Sequence, residues 1–171
     1  MRFVFVDRLV SAEPPRHIET LKNVSATEDV FADHFPGYPV LPGALIVEAF
    51  AQACQLLIAM SHDFAEVGQL RRLSRVAFSR QVRPGDQLSI RCARVGEAGW
   101  VLDASAAVKG QRVAAATLEF ALELAPPGTK AACQAERLRA LARELGSPPD
   151  EGGLRTVDLT TKVDLTTKSV E

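Results

Sequence analysis

His34-Phe35-Pro36-Gly37-Tyr38-Pro39-Val40-Leu41-Pro42-Gly43-Ala44-Leu45-Ile46-Val47-Glu48-Ala49-Phe50-Ala51-Gln52 is the stretch on which the rest of the chain turns. Pro36, Gly37, Pro39, Pro42 and Gly43 keep its first half out of regular structure and place His34 on a loop. A strongly apolar helix then opens near Pro42 or Gly43 and ends near Ser61-His62-Asp63. Between Ala44 and Met60 the only polar residues are Glu48, Gln52 and Gln55. A carboxylate in such a helix is costly to bury unless it is paired, hydrogen-bonded or protonated. A histidine and a carboxyl group facing one reaction centre would make an acid–base pair. A helix that is apolar on nearly every side needs cover on every side.

The cover comes from the sequence that follows. After residue 63 the hydrophobic period changes from helical to two. Val76, Phe78 and Arg80 face one way, and Leu88, Ile90 and Cys92 share a face. Trp100, Leu102, Ala104 and Ala106 alternate with Val101, Asp103 and Ser105, and Leu118, Phe120 and Leu122 alternate with Thr117, Glu119 and Glu123. Turns at Pro84-Gly85-Asp86, 96–99 and Lys109-Gly110 punctuate these runs. The pattern predicts an antiparallel meander wrapped around the helix, an α+β arrangement. Upstream, Phe3–Val10 and His17–Val24 read as strands joined by a turn at 12–15, and Asp29–His34 as one irregular turn. Ala131–Leu145 reads as a short amphipathic helix, so the organisation expected is a main domain over 1–125, a helical extension over 126–145 and a tail over 146–171. The tail carries V-D-L-T-T-K twice, at 157–162 and 163–168, which is too few copies for a solenoid. It reads as a mobile tail, the alternatives being a docking peptide or a segment added to the natural chain.

Bulk properties exclude several function classes. The net charge of −1 over 171 residues makes the whole chain a poor partner for nucleic acid. Cys54, Cys92 and Cys133 form neither a disulfide framework nor a metal-ligand spacing, which suits a reducing cytosol. The start carries Arg2, Asp7 and Arg8 within a short apolar run, so a secretory signal is not expected. The run 44–60 is short for a membrane span and holds a Glu and two Gln, which favours a buried central helix. His17 reads as a strand-surface residue, Cys54 as core, and His62 as a partner for the last carbonyls of the helix. Seven arginines (71, 72, 75, 80, 83, 91 and 94) and one acid, Asp86, lie between Gln69 and Arg94. They form either a solvated strand face or, at Arg71, Arg72 and Arg75, a landing site for an acidic partner.

The stretch at 34–52, with its pattern H-F-P-G…P-G-x-L-x-x-E-A-x-A-Q, resembles the signature of the FabZ-type 3-hydroxyacyl-acyl-carrier-protein dehydratases of the hotdog-fold superfamily. V-F-V-D-R at 4–8, L-K-N-V-S at 21–25 and F-S-R-Q-V-R-P-G-D-Q-L at 78–88 extend the likeness over roughly residues 3–124. The resemblance implies a hotdog: an antiparallel sheet around a long central helix, paired into a dimer that in this family often assembles into hexamers. It implies His34 as catalytic base, Glu48 as catalytic carboxyl group, Gly43 as the helix-start glycine whose N–H polarises a thioester carbonyl, and Gln52 as the glutamine one turn on. In that family the histidine and glutamate of one site come from different subunits. No metal or redox cofactor is implied, since the phosphopantetheine arm arrives with the acyl carrier protein. Fatty-acid synthesis is the default setting, and polyketide or aryl-polyene assembly a specialised one.

These residue types suit a dehydration. The proton on C2 of an acyl thioester needs a base such as imidazole, and the C3 hydroxyl leaves as water only when an acid protonates it. An apolar helix favours a carboxyl group that keeps its proton, and a helix N-terminus offers N–H groups to the enolate-like oxygen. Gln52 lies four residues after Glu48, on the same helix face, where it can orient the carboxyl group. Tyr38 stands where the family usually has a smaller polar residue, and Gln81 replaces the usual proline after Arg80. The rival readings are a hotdog thioesterase and a non-catalytic partner that binds acyl carrier protein. An isomerase variant is disfavoured, because that branch typically has Asp at the position of Glu48.

Overall fold

The structure is a computed structural model that describes residues 4–146; the repeated V-D-L-T-T-K segment and the rest of the expected tail from residue 147 lie outside them. The elements run β1 (Arg8–Glu13), β2 (His17–Asn23), α1 (Val30–Asp33), α2 (Gly43–Ser61), β3 (Glu66–Phe78), β4 (Gln87–Arg94), β5 (Trp100–Val108), β6 (Gln111–Leu124) and α3 (Lys130–Gly146). The six strands form one antiparallel sheet in the order β1-β2-β4-β5-β6-β3, so β1 and β3 are its edges.

The core is α2 against the concave face of that sheet. Ile46, Ala49, Phe50, Ala51, Ala53, Cys54 and the run Leu56–Ala59 are buried, more than one helical stripe. Opposite them, Leu88, Ile90 and Cys92 of β4 and Trp100, Leu102, Ala104 and Ala106 of β5 point inward at alternate positions. This is the period-two pattern of the sequence. A fully buried Leu, Ile or Phe contributes about 1.5–3 kcal/mol, so α2 and these strands supply most of the stabilisation. By length and composition α2 is the one described helix able to cross a membrane, but 56% of its apolar window is buried inside the protein. Cys54 packs in this core beside Cys92; burial, helped by that neighbouring thiol, pushes the Cys54 thiol well up.

Three details differ from the sequence reading. The first strand begins at Arg8 rather than Phe3. The Phe5 N–H is drawn to α2 instead of a strand neighbour, donating to Gln52 Oε1 at 2.8 Å. His62 meets the end of α2 through its backbone N–H, which reaches Ala59 and Met60 carbonyls, while its ring pairs with Glu66 at 2.8 Å. Leu122 is 41% exposed, so the inward face of β6 stops at Phe120.

α3 closes the open side. Thr129 caps its start, its hydroxyl accepting the Ala132 N–H at 3.1 Å. Ala131, Ala135 and Leu138 are buried on its inner face, and the helix meets α2 and both edge strands. Gln69 donates to Gln134 at 2.9 Å, and the Arg139 guanidinium lies over Phe64.

Candidate active site

His34 stands where α1 gives way to the Pro/Gly loop. Its N–H closes α1 on Val30 O at 3.0 Å, and its carbonyl accepts the Val40 N–H at 3.2 Å. The half-buried ring places Nδ1 2.9 Å from Val40 O. A carbonyl oxygen only accepts, so Nδ1 carries the proton in this bond. A neutral ring then keeps its lone pair on Nε2, the form that takes a proton.

The start of α2 is open. Pro42 occupies the N-cap without a side-chain cap, and its carbonyl takes the Leu45 and Ile46 N–H groups at 3.0 and 3.3 Å. Among the described residues the Gly43 and Ala44 N–H groups have no partner, which leaves two donors at the positive end of a 19-residue helix. The ring of Phe78, at the end of β3, lies directly against Gly43: a Cβ there would sit 2.7 Å from Cζ. Sequence reasoning missed Phe78 as a wall of this site. Its signals were its place at the head of the 78–88 motif and the glycine at the helix start.

Glu48 lies five residues into α2, about 7.5 Å along the axis from Gly43 at roughly 1.5 Å per residue. Gln52 Nε2 donates to Glu48 Oε1 at 2.7 Å, and Gln52 Oε1 takes the Phe5 N–H. The amide is thus oriented from behind and presents its donor to the carboxyl group. The expectation that the apolar helix alone buries Glu48 is corrected: in one chain this residue is exposed, because the face of α2 around position 48 is uncovered. Within one chain no described hydrogen bond or ion pair links His34 to Glu48. Two hollows beside the loop, about 460 and 510 Å3, are lined by Phe5, Lys22 and Leu45 and by Phe31, Pro39 and Pro84 respectively, and neither is lined by His34 or Glu48.

Arg71, Arg72 and Arg75 all lie exposed on the edge strand β3. Arg72 reaches Glu119 across the sheet at 3.8 Å, and Arg75 takes a φ of +50° at a bulge. Among the described residues no cluster of three or more His, Cys, Asp and Glu side chains is placed to hold a metal ion.

Residues 1–117 match the FabA-like domain family. A 3-hydroxyacyl-[acyl-carrier-protein] dehydratase FabZ of Pelotomaculum thermopropionicum is 46% identical over 123 residues, 70% of this chain and 88% of that one. Among solved structures, a dehydratase heterocomplex ApeI:P from Xenorhabdus doucetiae superposes with a TM-score of 0.54 at 19% identity, covering 66% of this chain and 95% of that one. A Streptococcus mutans protein bound to acetyl CoA gives 0.56 at 22%, covering 72% and 94%. At those identities the structural likeness speaks for the fold alone: a six-stranded hotdog around one long helix. Within that class, the chain belongs to the FabZ-type 3-hydroxyacyl-acyl-carrier-protein dehydratases of the FabA-like family.

Proposed function

We propose that this chain removes water from a 3-hydroxyacyl chain on acyl carrier protein and leaves the trans-2-enoyl thioester, in fatty-acid or polyketide-type biosynthesis. His34 Nε2 takes the proton from C2. The electron pair moves through the enolate-like oxygen, which the Gly43 N–H and the start of α2 stabilise. The C2–C3 double bond forms as the C3–O bond breaks, and Glu48 gives its proton to the departing oxygen, so the products are one enoyl thioester and one water. Gln52 holds the carboxyl group for that transfer. Proton exchange with solvent resets His34 and Glu48. No metal or redox group takes part; the phosphopantetheine arm comes with the carrier.

The observation that carries this reading is the sequence of groups along one helix end: an oriented imidazole, two open N–H donors and a carboxyl group held by an amide. The working unit is a dimer, further assembled or not, in the cytoplasm. Three features support pairing. Glu48 is exposed, His34 and Glu48 share no bond within one chain, and the thirteen-residue edge strand β3 leaves Leu70, Leu73, Val76 and Phe78 between 39% and 50% exposed. A long edge of this kind invites a second strand. Arg71, Arg72 and Arg75 serve as the landing site for the acidic carrier.

The test is mass spectrometry of carrier-bound 3-hydroxyacyl chains of several lengths. The wild-type protein is expected to remove the mass of one water, and His34→Ala and Glu48→Gln to lower the rate by at least about 100-fold. Release of free acid and carrier thiol would instead mark a thioesterase.

A further inference from the structure

Within one chain, residues 35–39 of the histidine loop are all exposed, so that chain's own burial does not hold the loop in place. Two bonds inside the loop fold it on itself: the Tyr38 N–H reaches Phe35 O at 2.9 Å, and the Phe35 N–H reaches Tyr38 O at 3.3 Å. Its ties to the rest of the protein converge on residues 81–83. The Leu41 N–H donates to Val82 O at 2.8 Å. The Tyr38 hydroxyl donates to Gln81 Oε1 at 2.9 Å and accepts from Arg83 Nη2, which also donates to Gln81 Oε1 at 3.1 Å. The Arg83 guanidinium lies 4.3 Å over the Tyr38 ring. The backbone of Arg83 is tied down, while the hydrogen bonds of its exposed guanidinium go to Tyr38 and Gln81. The Arg83 N–H bonds Asp86 Oδ2 at 2.9 Å, and the turn Arg83 opens is tied to Val24 by the Gly85 N–H at 2.9 Å and by Asp86 O at 3.0 Å. Tyr38 and Gln81 are therefore bonded to each other across 43 residues of chain.

We propose that Tyr38, clamped by Gln81 and Arg83, is a positioning residue for His34, a role that rests on the dehydratase reading. The clamp fixes the tip of the loop. The loop in turn fixes Val40, whose carbonyl sets the direction of the imidazole. An aromatic ring against a guanidinium whose backbone is anchored gives a tie that needs no burial. Small displacements of a catalytic base are expensive in rate, so releasing the tip acts on the chemical step before it acts on binding.

Tyr38→Phe keeps the ring on Arg83 and removes both hydroxyl bonds; Gln81→Leu removes the acceptor that the Tyr38 hydroxyl and Arg83 share. Each is expected to lower kcat about tenfold with KM nearly unchanged, equally on carrier-bound substrate and on a short 3-hydroxyacyl thioester without carrier. The double variant is expected to be no worse than either single one, because both act through one tie. Isotope-labelled histidine NMR supplies a readout apart from activity. The His34 signal, assigned with His34→Ala, is expected to shift or broaden in Tyr38→Phe, while His17 and His62 stay in place. An unmoved His34 signal, an unchanged kcat, or a KM rise confined to carrier-bound substrate would overturn the proposal. Absence of water loss with the wild-type protein would remove the dehydratase reading, and the NMR arm would still judge the clamp.

Discussion

An alanine methyl at position 43 would sit 2.7 Å from Cζ of Phe78 and 2.9 Å from Cε1. Phe78 is 50% exposed in one chain, so its ring can swing aside without unfolding that chain. Gly43→Ala is therefore expected to leave the melting temperature nearly unchanged and to lower kcat/KM by about tenfold or more, by moving the wall that shields the helix start. In a Phe78→Ala background the same change is expected to cost almost nothing. The cycle of four proteins measured for kcat/KM reads this coupling directly. At this scale the sequence was informative wherever partners lie close along the chain. Gln52 follows Glu48 by one turn, and the bond between them is there at 2.7 Å. The Phe5 N–H on the other side of Gln52 lies 47 residues away and leaves no local signal. The exposure of Glu48 was not legible, since the hydrophobicity of α2 says nothing about which face the sheet leaves uncovered.

β3 shows how an element can escape a periodic reading. Only its last residues, around Val76 and Phe78, alternate in the sequence, yet the strand runs over thirteen residues from Glu66. Register shifts between Leu70 and Arg72 and between Ser74 and Ala77 break the period of two, and Arg71 and Arg75 fall inside them. β4 and β5 pair without a shift between them, and their buried faces match the sequence pattern residue for residue. α3 runs one residue beyond its expected span at each end, and its buried positions recur at the helical spacing that made it legible. Charge reversal at Arg71, Arg72 or Arg75 is expected to slow turnover of carrier-bound substrate by about tenfold at low salt and to spare a small thioester; equal effects on both substrates would count against docking on β3. β2 offers a stability test. The Thr20 hydroxyl is fully buried and has no partner among the described residues. Thr20→Val removes that unpaired group while keeping the branched shape, and is expected to stabilise the protein by about 1 kcal/mol in denaturant unfolding.

At the scale of the whole molecule, a complete site would need two chains. One chain supplies an oriented imidazole, an open helix start and a braced carboxyl group, but it leaves that carboxyl group exposed and a long edge strand uncovered. Pairing through β3 would cover the exposed leucines and Phe78, and would let His34 of one copy face Glu48 of the other. The most direct measurement mixes two inactive proteins, His34→Ala and Glu48→Gln, after joint refolding, and follows water loss from a carrier-bound 3-hydroxyacyl chain by mass spectrometry. If each site draws on both copies, half of the dimers are mixed and each holds one intact site, so the mixture is expected to recover about a quarter of wild-type activity. A mixture as inactive as its two components would contradict a site shared between chains.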